Sequence, residues 1–136
     1  MTEAAISATI GEDNFKTIIQ TSSHQLIADE PTDLGGQDLG ATPFELLLSS
    51  LGACTAITLR MYANHKQLPL RRVEVHLSLV IEKDKEGKQR SIIHRKIEID
   101  GDISEDLRQR MLKVANSCPV HKLLSHQIVI ETTLSK

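Results

Sequence analysis

The order of apolar and polar residues divides the chain into a strand-rich beginning, one long apolar helix, a hairpin and a mixed end. Ala4 to Ile10 is mostly small and apolar, and Gly11-Glu12-Asp13-Asn14 is a cluster of turn formers. Phe15, Thr17, Ile19 and Thr21 then alternate with Lys16, Ile18 and Gln20, which predicts a hairpin. His24 to Ala28 reads as a short third strand. Asp29 to Ala41 holds Asp-Glu-Pro, Gly35-Gly36 and Gly40 and reads as a loop, either a binding loop or a plain connector.

Thr42 and Pro43 open a helix. Thr is a good N-cap, Pro suits the first helical position, and Glu45 complements the positive end of the dipole. The pattern runs to about His65, a length of about 34 Å. No charge lies between Glu45 and Arg60, so the helix is expected to be buried on nearly every side. One small domain has trouble covering such a helix, so a sheet on one side and a second subunit on the other are expected. Arg71 to Glu82 reads as a strand with Val73, Val75, Leu77, Leu79 and Ile81 on one face. A charged turn with Gly87 returns the chain as a strand from Gln89 to Asp100. Ser104 caps a second helix reaching about Asn116, with Leu107, Met111 and Ala115 inward. Cys118-Pro119 starts a short helix, and Gln127 to Leu134 reads as a closing strand with Ile128 and Ile130 inward. Strands grouped before and between a few helices imply an α+β domain with an antiparallel sheet.

Length and composition narrow the function classes. The 136 residues fit one domain, spanning 1–136. Phe15, Phe44 and Tyr62 are the aromatic residues, so the core is aliphatic and base stacking is disfavoured. A net charge of -2 argues against nucleic acid or an anionic membrane as partner. The uncharged run Leu46 to Leu59 is shorter than the roughly 20 residues that span a bilayer, and no secretion signal is evident. A cytoplasmic protein is expected.

Two cysteines do not make a disulfide scaffold, so each is core, metal ligand or reactive thiol. Cys54 sits mid-helix among Gly52, Ala53 and Ala56, which allow close approach of another backbone. Taken alone it reads as a core cysteine. Cys118 precedes Pro119 and so stands at an N-cap, where unpaired N–H groups favour a thiolate. His121, at the third helical position, is placed to add positive charge or accept a proton. Together the two thiols make a peroxide-reducing dithiol: one attacks and becomes a sulfenic acid, and the other condenses with it to a disulfide. A zinc site is the rival, with Cys118, His121 and His126 as C-x2-H-x4-H and Cys54 as a fourth ligand, but structural zinc sites usually carry paired cysteines. His65, His76 and His94 read as surface residues, and no hydrolase elbow, P-loop or dinucleotide glycine pattern is present.

The stretches Ala28-Asp29-Glu30-Pro31, Gly35-Gly36, Thr42-Pro43-Phe44-Glu45-Leu46-Leu47-Leu48, Leu51-Gly52-Ala53-Cys54 and Ala115-Asn116-Ser117-Cys118-Pro119-Val120-His121 resemble the OsmC/Ohr family over essentially the whole chain. They are most similar to its small OsmC-like redox protein subgroup. The resemblance implies an intertwined homodimer in which an antiparallel sheet from both chains wraps two long buried central helices. It implies a thiol peroxidase that uses no metal or organic cofactor, takes small organic or hydrogen peroxides and is recycled by a dithiol reductant. Cys54 would be the attacking thiolate and Cys118 the resolving one, although the N-cap alone favours Cys118 as thiolate. The family's hydroperoxide enzymes place an activating arginine in the N-terminal loop, whereas no arginine precedes Arg60 here and His24 falls near that position. They also place a glutamate directly after the helix-opening proline, where this chain has Phe44. Glu45, nine residues before Cys54, falls about 180° around the helix from it and reads as a helix-end charge. These departures leave an alternative: a non-enzymatic binder of a hydrophobic small molecule, with Phe44, Leu47 and Leu51 near the wall of its pocket.

Overall fold

A computed structural model describes residues 2–135. They form two compact units, one reaching Leu47 and the other starting at Leu48. The first holds strands β1 (Ser7–Ile10), β2 (Thr17–Gln20) and β3 (Gln25–Ala28) in an antiparallel sheet of order β1-β2-β3. Ser7 pairs with Gln20, and Thr17 with Ala28. After a 3-10 turn at Thr32–Leu34, the loop runs back against β3 through a bridge between Ala28 and Ala41. Asp29 is buried and braces the loop, accepting from the N–H of Glu30 at 2.8 Å and of Leu39 at 3.3 Å. Gly40 is required in this return, because a Cβ there would strike the Ile27 carbonyl.

Helix α1 (Pro43–His65) is 23 residues long. Its start is a capping box: Thr42 Oγ1 accepts from the Glu45 N–H, and the Glu45 carboxylate accepts from the Thr42 N–H at 2.9 Å. The buried residues of α1 are Leu51, Thr55, Leu59 and Ala63, one seam at i, i+4 spacing. Burial on nearly every side is therefore not observed: Ile57 and Met61, on other faces, are 59% and 66% exposed. The sheet beneath has only two strands, which is too narrow to cover more than one seam. By length and composition α1 is sufficient to cross a membrane, which the uncharged run alone did not indicate. Arg60, the one charged side chain in its second half, is tied to protein, donating to the carbonyls of Leu70 and Arg71.

The second unit contains the antiparallel hairpin of β4 (Leu70–Lys83) and β5 (Gln89–Gly101), then α2 (Glu105–Ala115) and α3 (Pro119–Ser125). Gly87, at φ 82°, closes the hairpin turn. Ser104 is the N-cap of α2 as expected, accepting from the Leu107 N–H. Leu59, Ala63, Leu70, Ile103, Met111 and Ala115 form the buried core, an aliphatic cluster. The packing of α1 on β4 depends on Gly52, since a Cβ there would lie 2.9 Å from Leu77 Cδ1. The expected closing strand is absent. Residues 127–134 are irregular, and Ile128 and Ile130 are 51% and 84% exposed instead of inward. Within the described residues β4 and β5 pair only with each other, and residues 127–134 pair with neither of their open edges.

Candidate functional site: two thiols at the start of α3

The short helix α3 begins shortly after Asn116 caps the end of α2, where Pro119 presets the first helical φ. Cys118 is the N-cap, with extended backbone, and its Sγ accepts from the His121 N–H at 3.3 Å. The next free donor of the same turn, the Val120 N–H, reaches Cys54 Sγ from α1 at 3.5 Å. One helix start therefore serves both sulfurs, and it is the element that brings residues 54 and 118 together. Both cysteines are free thiols; Cys118 is fully buried and Cys54 half-buried.

Burial pushes the Cys118 thiol up. The His121 N–H, the Cys54 thiol, the Thr55 hydroxyl and the Arg95 guanidinium together outweigh it, so Cys118 is held below the ordinary thiol value. Among these, the His121 N–H is the largest lowering influence, followed by the Cys54 thiol.

Thr55, Arg95 and Asn116, none of them a predicted site residue, complete the site. Thr55 is buried in the α1 seam; its hydroxyl donates to the Leu51 carbonyl at 2.7 Å and lies 4.0 Å from Cys118 Sγ. Arg95 of β5 donates to Thr55 Oγ1 at 3.0 Å, to Asn116 Oδ1 at 2.9 Å and to His121 Nδ1 at 3.0 Å. Because His121 accepts on Nδ1, its own proton sits on Nε2 and the ring is neutral. Burial, then the Arg95 charge, push its pKa down. Of the two roles expected of His121, a positive charge or a proton acceptor, a neutral ring does not supply the first, and the fixed positive charge among these side chains is that of Arg95.

Other predicted residues lie elsewhere. The Glu45 carboxylate is engaged in the capping box of α1. His24 sits in the β2–β3 turn, with Nδ1 3.2 Å from Ser23 Oγ. Phe44 and Leu47 are exposed on the first turns of α1, while Leu51 is buried and lines a cleft. That cleft, about 530 Å³, has walls of Leu51, Ile93, Ile97, Leu112 and Leu124 and a polar end at Arg95, Asn116 and His121. His126 is bonded to the Gln127 carbonyl through Nδ1. Among the described residues, the cluster whose ligand atoms converge as a metal site would require is Glu74, His76 and Glu98 on the outer hairpin, not the cysteine–histidine set.

A family model described as OsmC-like protein matches residues 35–133, which include both cysteines. The chain belongs to the OsmC-like family. Among solved structures it is similar to an OsmC-like protein from Mycoplasma pneumoniae, with 23% identity, 90% of this chain and 87% of that one covered, and a TM-score of 0.76. It is also similar to an organic hydroperoxide resistance protein OsmC from Legionella pneumophila, described as a predicted redox protein, with 17% identity, 92% and 90% covered, and a TM-score of 0.68. A third, an organic hydroperoxide resistance protein from Elizabethkingia anophelis with thiocyanate bound, shares 17% identity over 92% and 89% of the chains, with a TM-score of 0.69. At these identities the likenesses show the OsmC-like fold: an α+β architecture of antiparallel sheets and a long helix. A comparison with curated proteins finds no match.

Proposed function

We propose that this protein is a thiol peroxidase that reduces small organic hydroperoxides, or hydrogen peroxide, through Cys54 and Cys118. The observation that carries the reading is the meeting of both sulfurs at the start of α3, each on its own N–H donor. Two relatives of the same fold are called organic hydroperoxide resistance proteins, which agrees with a role in peroxide stress. The apolar walls of the cleft suit a peroxide with an organic group.

Cys54 is the better attacking thiol, because Cys118 is buried away from solvent. The active form of the pair carries one proton. Cys54 passes that proton to Cys118 and, as thiolate, attacks the terminal peroxide oxygen. The O–O bond breaks and Cys54 becomes a sulfenic acid. The leaving alkoxide takes the proton held on Cys118 and departs as alcohol. The Cys118 thiolate then attacks the Cys54 sulfur, the S–O bond breaks, and hydroxide leaves. The balance is one dithiol monoanion and one hydroperoxide giving disulfide, alcohol and hydroxide. A small dithiol reductant restores both thiols by exchange.

The whole chain is read as one OsmC-like domain, since α1 runs unbroken across the boundary between the two units. A cytoplasmic homodimer completes the reading. The exposed Ile57 and Met61 of α1, and the unpaired segment 127–134, are the surfaces a second copy would cover. The test is hydroperoxide consumption by purified protein with dithiothreitol as reductant. Cys54→Ser should abolish turnover, and Cys118→Ser should accumulate a sulfenic acid that a dimedone probe labels. Undiminished turnover in Cys54→Ser would overturn the assignment. The same cleft also favours a second reading, a carrier of a hydrophobic small molecule, which a co-purifying ligand and no turnover would support.

A further inference from the structure

Arg95 occupies a register where a charge is out of place. Ile93, Arg95, Ile97 and Ile99 stand at alternate positions of β5 and are half-buried, while His94, Lys96 and Glu98 between them are exposed. Arg95 pairs across the hairpin with Leu77, the residue on which Gly52 of α1 packs. The guanidinium therefore lies on the face that α1 covers.

Its acceptors there are Thr55 Oγ1, Asn116 Oδ1 and His121 Nδ1, all neutral. Among the described residues, no carboxylate comes within ion-pair distance of it. A partly desolvated cation held only by neutral acceptors lacks its counter-charge. The three acceptors also have something in common: each belongs to a residue in contact with Cys118 or close to it in the chain. Thr55 touches its sulfur, His121 donates its N–H to it, and Asn116 lies two residues before it. Arg95 thus fastens α1, the α2–α3 connection and α3 around one sulfur.

We propose that Arg95 is the counter-ion and positioning residue of the Cys118 thiolate, and that it sets which thiol of the pair is ionised at rest. The inference rests on the thiol pair being the redox site. Arg95 keeps its charge at every physiological pH. Besides burial, the groups acting on Cys118 are the His121 N–H of α3, the Cys54 thiol and the Thr55 hydroxyl of α1, and the Arg95 charge of β5. Since His121 is neutral, the fixed charge comes from Arg95. The resting pair is then a Cys118 thiolate accepting from the Cys54 thiol, a store for the proton that the attack at Cys54 must release and the alkoxide must regain.

The test is a pH titration of thiolate ultraviolet absorbance on the full-length Cys54→Ser protein, in which only Cys118 titrates. Arg95→Gln retains hydrogen-bonding groups and removes the charge; it should raise the midpoint by about one pH unit, a tenfold change in the ionisation constant. Arg95→Lys keeps the charge without the fork and should leave the midpoint near that of the parent. An unmoved midpoint in Arg95→Gln, or an equal rise in Arg95→Lys, overturns the proposal. Circular dichroism checks folding. Should Arg95→Gln not fold, Arg95→Lys decides: an unmoved midpoint supports the charge assignment, and a rise of about one unit overturns it. The titration uses no peroxide. Absence of hydroperoxide turnover in the parent would refute the proposed function and leave Arg95's role standing, and an unmoved midpoint beside normal turnover would do the reverse.

Discussion

Thr55→Val is the cleanest perturbation of the site, because valine keeps the shape of threonine and removes one hydroxyl. Thr55 is fully buried in a seam whose other members are Leu51, Leu59 and Ala63. Its oxygen accepts from Arg95 at 3.0 Å, a hydrogen bond to a charged group worth about 1.5–3 kcal/mol. The added methyl returns about 0.8 kcal/mol of apolar burial. The difference is a net loss of about 1–2 kcal/mol. Leu51 loses only a side-chain donor, since its carbonyl also accepts within α1. Urea unfolding near neutral pH reads this as a lower midpoint at unchanged slope. Thr55→Ser should restore most of the loss. Combined with Arg95→Gln, the effect should be less than additive, because both changes remove the same bond. A Thr55→Val protein as stable as the parent would refute the claim that this bond holds β5 to α1.

Two further outcomes are expected. Cys118 is held below the ordinary thiol value in the folded chain, so its ionisation favours folding; that contribution is fully present above the unfolded thiol pKa of about 8.5 and is lost as pH falls through the folded value. The stability of the reduced protein over its Cys118→Ala variant should therefore grow as pH rises toward about 8.5, and a pH-independent difference in urea unfolding would refute this. Removing residues 127–136, which takes away the exposed Ile128, Val129, Ile130 and Leu134, should shift a homodimer toward monomer in light scattering, and an unchanged mass would refute the role given to that segment.

The elements set by local rules were legible in the chain itself. Thr42-Pro43, Ser104 and Cys118-Pro119 each mark a helix start that the structure contains. The period-two runs of the hairpin become β4 and β5 in full register from Arg72↔Asp100 to Lys83↔Gln89. What failed depended on neighbours more than on sequence. Residues 127–134 have strand-forming composition, but a strand also needs an edge to pair with, and among the described residues they lie on none. Likewise, α1 has apolar residues on every side, yet burial is decided by what lies against it, and one narrow hairpin covers one seam.

The site divides in the same way. Both cysteines announce themselves by their surroundings in sequence, and Asn116 lies inside the second cysteine's motif, but Thr55 and Arg95 carry no motif. Spacing along the chain says nothing about three residues drawn from α1, β5 and the end of α2. One signal was nevertheless present. The alternation that assigns Val73, Val75, Leu77 and Leu79 to the covered face of β4 assigns Ile93, Arg95, Ile97 and Ile99 to the covered face of β5. An arginine in an apolar row costs stability unless something there requires its charge. With acceptors that are all neutral, and a buried thiol at their centre, the site itself is that requirement. The charge that tunes the thiol pair thus comes from the core-facing row of a strand, where packing fixes its position, and the chemistry of Cys118 depends on the same contacts that hold the second unit together.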